Sequence, residues 1–118
     1  MQIAVKGRNV EVDDRVRQRV ERRFEKIARQ VSPLARLELE LSEERNPSIR
    51  ESQIAEVTLY LKGITLRARS VSDSSVSAVN RAAEELSRQV KRHRDKRRGR
   101  RATARMEVTA TMPQLPVS

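Results

Sequence analysis

Residues 55–69 read AEVTLYLKGITLRAR. Ala55, Val57, Leu59 and Leu61 alternate with Glu56, Thr58, Tyr60 and Lys62. After Lys62-Gly63, Ile64, Leu66 and Ala68 alternate with Thr65, Arg67 and Arg69. A period of two marks a strand with one apolar and one wet face. Two such runs joined by Lys-Gly read as a hairpin with a tight two-residue turn. Working outwards, Leu37, Leu39 and Leu41 alternate with Glu38, Glu40 and Ser42, and Met1, Ile3 and Val5 with Gln2, Ala4 and Lys6. These are two more strands of the same pattern. Residues 43–52, with Asn46-Pro47-Ser48 inside them, read as a loop.

The period changes to a helical one twice. From Asp13 to Gln30 the apolar residues fall at Val16, Val20, Phe24 and Ile27. Asp13-Asp14 supplies a cap and acid for the first turn, and Ser32-Pro33 stops the helix. From Ser75 to about Lys96 the apolar face is Val76, Val79, Ala83, Leu86 and Val90, with Asp73-Ser74 to cap it. The order is therefore β-α-β-β-β-α. Each strand has a single apolar face, so both helices must cover it. The first helix has the length of a right-handed crossover, which makes the first two strands parallel. The expected fold is α+β: a two-layer sandwich of one four-stranded mixed sheet with two helices packed on one face. Residues 1–97 form that domain, and 98–118 are expected to be a basic, then disordered, tail.

The 118 residues carry 26 Lys and Arg against 16 Asp and Glu, a net charge of +10. The excess is uneven: residues 35–61 sum to −3 and residues 62–105 to +10. The stretch Glu84–Arg101, EELSRQVKRHRDKRRGRR, passes from an amphipathic helix into a nearly pure basic run. A cationic stripe held on folded elements is suited to a polyanion and makes binding salt-dependent. With no tryptophan, one phenylalanine and one tyrosine, the chain lacks the stacking surface of single-strand readers. Recognition of structured RNA by backbone and shape fits better. Zero cysteines exclude disulfides and thiolate metal sites and suit an intracellular protein. No apolar run approaches the roughly 20 residues of a membrane span, and MQIAVKGRNVEV alternates where a signal peptide would be continuously apolar. The expectation is a cytoplasmic protein that binds no membrane. His93, the single histidine, lies in the basic helix without an orienting partner, and Glu43-Glu44 has no third ligand at metal spacing. Neither suggests an enzyme, a cofactor or a small-molecule substrate.

The opening MQIAVKGRNVEV with its following basic helix, and RQVKRHRDK near the end of the second helix, resemble the ribosome hibernation promoting factors, also called ribosome-associated inhibitors or ribosomal subunit interface proteins. The likeness is collinear over roughly residues 1–97. It implies the same β-α-β-β-β-α sandwich. It also implies binding to the small ribosomal subunit near the A and P sites and the messenger RNA channel, with translation inhibited and idle ribosomes stabilised under stress or in stationary phase. By the same resemblance, the ribosomal RNA contacts would come from Arg22, Arg23 and Lys26 on the first helix and from Arg88, Lys91, Arg92, Arg94 and Lys96 on the second. The family pattern Asp-x-Tyr-Ala-Ala-Ile-Asp at the second helix is here Ser74-Ser75-Val76-Ser77-Ala78-Val79-Asn80, so a tyrosine contact is not carried over. Long-form members have a further domain that pairs ribosomes. A short form and a piece of a long form are the two alternatives for this sequence, and the isolated chain is expected to be monomeric.

Two other readings compete. One is a generic module for structured RNA. The other is a regulatory protein-interaction module that uses the acidic sheet face of Glu38, Glu40 and Glu56. The bland expectation for that face is that Arg67 and Arg69 pair with those acids across strands.

Overall fold

The computed structural model describes residues 1–46 and 52–111, with side chains described for 1–46 and 52–96. The elements run β1 (Gln2–Gly7), α1 (Asp14–Ala28), β2 (Arg36–Glu43), β3 (Gln53–Leu61), β4 (Ile64–Ser72) and α2 (Ser75–Thr111). The strands form one sheet in the order β1-β2-β3-β4. β1 pairs with β2 in parallel, and the other neighbours are antiparallel. The sandwich expected from the alternating runs is the fold observed.

The register sends every second residue into a single core. Val5, Leu37, Leu39, Leu41, Ala55, Val57, Leu59 and Ala68 point to one face, and Val20, Phe24 and Ile27 of α1 meet them there with Ala78, Val79, Ala82, Ala83, Leu86 and Val90 of α2. Both helices therefore share that face. Phe24, Leu37, Leu59 and Leu86 are completely buried, and removing each such side chain from water contributes about 1.5–3 kcal/mol. Alanines at 78, 82 and 83 let α2 lie close to β3 and β4, the strands it covers.

The local signals explain the element ends. Asp13 caps α1 by accepting the Val16 amide at 2.9 Å, which satisfies a donor that the first turn cannot use. At α2 the cap is Ser74, whose Oγ accepts the Ser77 amide at 3.1 Å. Gly63 turns the β3–β4 hairpin at φ 80°, a conformation that costs any side chain bearing Cβ. Gly7 has a different reason to be glycine: a Cβ there would run into the Val10 carbonyl. Just beyond it, Asn9 accepts the Glu43 amide and donates to the Glu43 carbonyl, each at 2.7 Å. This side-chain pairing ties the β1–α1 connection to the end of β2.

Three expectations are corrected. Val76 is 39% exposed, whereas Ala78 and Ala82 are buried. In its first turn α2 buries its alanine side, and Val76 is left at the rim. The helix also does not stop at about Lys96. Its backbone continues to Thr111, because residues 97–111 contain no proline and are mostly Arg, Ala, Met and Glu, which favour helix. Finally, Arg67 faces Thr58 in register and pairs with no acid among the described residues. Residues 47–51 of the β2–β3 loop and 112–118 of the expected tail lie outside the described residues.

The open face of the sheet is a charge lattice. One cross-strand row reads Lys6, Glu40, Glu56, Arg69. The two carboxylates are opposed at its centre, and each outer cation holds its neighbour: Lys6 to Glu40 at 3.9 Å and Arg69 to Glu56 at 3.2 Å. Nearer the other end, Arg36 sits 3.6 Å from Glu38 and 4.5 Å above the centre of the Tyr60 ring, and the Tyr60 hydroxyl donates to Glu38 at 3.2 Å.

On the outer edge of the sheet, α2 reaches down to β4. Gln89 Nε2 donates to the Arg67 carbonyl at 2.7 Å, and Arg81 Nη1 donates to the Val71 carbonyl at 3.2 Å. These bonds occupy two main-chain acceptors on a strand that has no neighbour on that side among the described residues. Occupied acceptors make an edge a poorer template for another strand.

Candidate nucleic-acid interface

The eight cations singled out in the sequence divide by position around the two helices. Lys26 of α1 shares a groove between the helices with Ser87, Arg88, Lys91 and Arg94 of α2. The groove is an open trough of about 340 Å³, with Asp95 and Gln30 also on its walls. Lys26, Lys91 and Arg94 form no ion pair among the described residues. Four basic side chains on facing helices, three of them without an ion pair among the described residues, gather positive charge of the kind that attracts an anionic backbone.

Arg92 and Lys96 lie on the other flank of α2. With Gln89 and His93 they border a cleft floored by Ile64 and Leu66 of β4. His93 also borders the hollow at the end of the hairpin, beside Val31, Leu61 and Lys62. It is therefore a groove residue, with no carboxylate partner among the described residues to orient it. Arg22 stands apart from both sets. It points to the β1 side of α1, among Met1, Ile3, Glu21 and Glu25.

Arg23 is engaged in holding the helices together. Its Nε donates to Asn80 Oδ1 at 3.0 Å and its Nη2 to the Asn80 carbonyl at 3.5 Å, with Glu84 3.9 Å away. It acts as a brace across the α1–α2 seam. The sequence gives no hint of this contact, because the partners are 57 residues apart.

Glu85 was also missed as part of the site. Its Oε2 accepts Nε and Nη2 of Arg88 at 3.1 and 2.8 Å, and its Oε1 lies 3.7 Å from Arg92 Nη2. Gln89 donates to the same Oε1 at 3.4 Å. The hydrogen bond from Arg88, followed by that from Gln89, holds the Glu85 carboxyl below the ordinary glutamate range. Helical spacing puts both Glu84 and Glu85 within reach of Arg88; Glu85 is the one used.

Residues 3–98 match the family model described as Sigma 54 modulation protein / S30EA ribosomal protein. The chain belongs to this family. Members similar to it include a ribosome hibernation promotion factor of Picosynechococcus sp., 25% identical over 118 residues, and one of Mycobacterium tuberculosis, 30% identical over 117 residues. The alignments take in 99% and 95% of this chain but 61% and 53% of those relatives. The chain thus spans little more than half the length of each. Among solved structures, the Protein Y N-terminal domain of Thermus thermophilus superposes with a TM-score of 0.67 at 28% identity, covering 79% of this chain and 99% of that domain. The matched segment contains both helices' cations up to Lys96 and stops within α2.

Proposed function

We propose that this chain is a non-enzymatic ribosome hibernation factor. It binds the small ribosomal subunit near the A and P sites and the messenger RNA channel, inhibits translation, and stabilises idle ribosomes under stress or in stationary phase. Family membership supports the ribosomal role, as do relatives named for ribosome hibernation. The observation that carries the binding mode is the trough in which Lys26 faces Arg88, Lys91 and Arg94. Ribosomal RNA phosphates dock there and along Arg92 and Lys96. The rigid sandwich then fills space that messenger and transfer RNA require, so inhibition is steric. Such a role is exercised in the cytoplasm.

The competing use of the sheet face as an acidic docking surface has little to stand on. Glu38, Glu40 and Glu56 are each matched by a cation within 4 Å. Arg22, on the far flank of α1, is a peripheral contact at most in this binding mode.

The test is co-sedimentation with purified small subunits in sucrose gradients across a salt series. Six to eight phosphate contacts give a log–log slope of about −5 to −7. Combined reversal of Arg88, Lys91 and Arg92 to glutamate abolishes co-sedimentation while leaving the circular dichroism spectrum intact. A flat salt profile, or a reversed variant that still sediments with the subunit, rejects this reading.

A further inference from the structure

α2 carries cations of two kinds. Lys91, Arg94 and Lys96 meet no carboxylate among the described residues, whereas Arg88 and Arg92 both meet one, and it is the same one. Both guanidiniums turn to Glu85, a residue on their own helix, which the Gln89 amide holds from below. That amide is itself fixed to the sheet through the Arg67 carbonyl. The result is a cradle of two guanidiniums and one amide around a pair of anionic oxygens. A phosphodiester offers two equivalent non-bridging oxygens, and a guanidinium grips either kind of anion in the same forked manner.

We infer that Glu85 holds, in the free protein, the position that a phosphodiester takes between Arg88 and Arg92 in the bound one. The inference rests on the functional reading above and adds a step to it: binding is an exchange of anions at this cradle, while Lys26, Lys91 and Arg94 bind by simple attraction. The exchange has two consequences. Arg88 and Arg92 are both held at one carboxylate before binding, so less side-chain freedom is lost on contact. The displaced carboxylate then remains close to the incoming phosphate, which lowers affinity for any polyanion that cannot fill the whole cradle. Glu85 therefore selects for phosphates held in a fixed geometry, as in folded RNA, over a mobile polyanion.

The Glu85→Gln variant separates this role from simple positioning. It keeps the size of the side chain and removes the charge at a half-buried helical site outside the core, so the fold is retained. The variant is expected to bind small subunits about two- to fivefold more tightly than the unmodified chain at fixed salt, the range set by the worth of an exposed ion pair. It should also gain more affinity for heparin than for a short RNA duplex. In carbon-detected NMR of the unmodified protein, saturating duplex should move the Glu85 carboxyl signal to the position of a free glutamate. Equal or weaker binding by Glu85→Gln overturns the inference, because a carboxylate that only positions the arginines would be missed on removal. A Glu85 signal that stays in place at saturation overturns it as well. If the unmodified chain binds the duplex but not the subunit, the ribosomal reading falls, and the duplex measurements still decide the exchange.

Discussion

Arg23 of α1 reaches across the helix seam to Asn80 of α2, with Nε 3.0 Å from the side-chain oxygen and Nη2 3.5 Å from the main-chain carbonyl. The contact ties together two elements that otherwise meet mainly through apolar side chains. Arg23→Ala is expected to lower stability by about 1 kcal/mol, the usual worth of a partly exposed hydrogen-bonded pair. The urea midpoint should fall at an unchanged slope. Subunit binding at saturating protein should survive, since Arg23 orients the trough and the other cations fill it.

Lys91 is expected to behave in the opposite way. It is exposed, has no ion pair among the described residues, and lines the trough with Lys26. Lys91→Ala should leave stability within about 0.5 kcal/mol. It should reduce the salt slope of subunit binding by about 1, as for the loss of a single phosphate contact. A slope that does not change would remove Lys91 from the interface.

On the sheet face, Arg69 compensates an unfavourable opposition. Glu40 and Glu56 are directly paired across β2 and β3, and like charges in that position destabilise. Arg69→Ala should therefore cost more than a typical surface change, on the order of 0.5–1 kcal/mol. A double-mutant cycle with Glu56→Gln should recover most of that loss. Ribosome co-sedimentation should be the same for all three variants.

Glu85 gives a prediction in pH. Its carboxyl lies below the ordinary glutamate value of 4.5 because Arg88, and then Gln89, hydrogen-bond to the ionised form. A lowered folded-state value means the stabilisation is present above the unfolded value and is lost as pH falls through the folded one. In an NMR titration Glu85 should protonate below the ordinary glutamate value. Arg88→Ala should bring it back towards the ordinary value. A titration unaffected by Arg88→Ala would show that the observed pair is not maintained in solution.

Most of the fold is legible in the sequence because each strand has one dry and one wet side. Leu37, Leu39 and Leu41, or Ala55, Val57, Leu59 and Leu61, cannot be read in any other period. Val76 was misjudged because helical spacing to Val79 says which residues share a side but not where along the axis the sheet ends. Ala82 was overlooked because a small side chain is a weak periodic signal, although its size is what allows α2 to lie close. The length of α2 was hidden for a different reason. Its last part has no apolar period and carries Gly99, so only the absence of proline before Pro113 marks it.

The site was legible as charge but less so as geometry. Lys26, Arg88, Lys91 and Arg94 come together as the two basic helices suggest. Arg22 does not join them, since one step around α1 separates it from Arg23 and turns it to the β1 side. Composition cannot tell a free cation from one already engaged. Arg23 and Arg88 look alike in sequence, yet one is bound to a neighbouring helix and the other to an acid one turn before it.

The ties from Gln89 and Arg81 to β4 have a mechanical consequence. They lie about two turns apart on the same flank of α2, and two anchors spaced along an axis prevent a cylinder from rolling. The azimuth of every cation from Arg88 to Lys96 is therefore set by the pleat of the strand beneath. The sheet acts as a jig: it converts backbone spacing into a fixed bearing for positive charge, which a helix tumbling about its own axis would smear into a featureless collar.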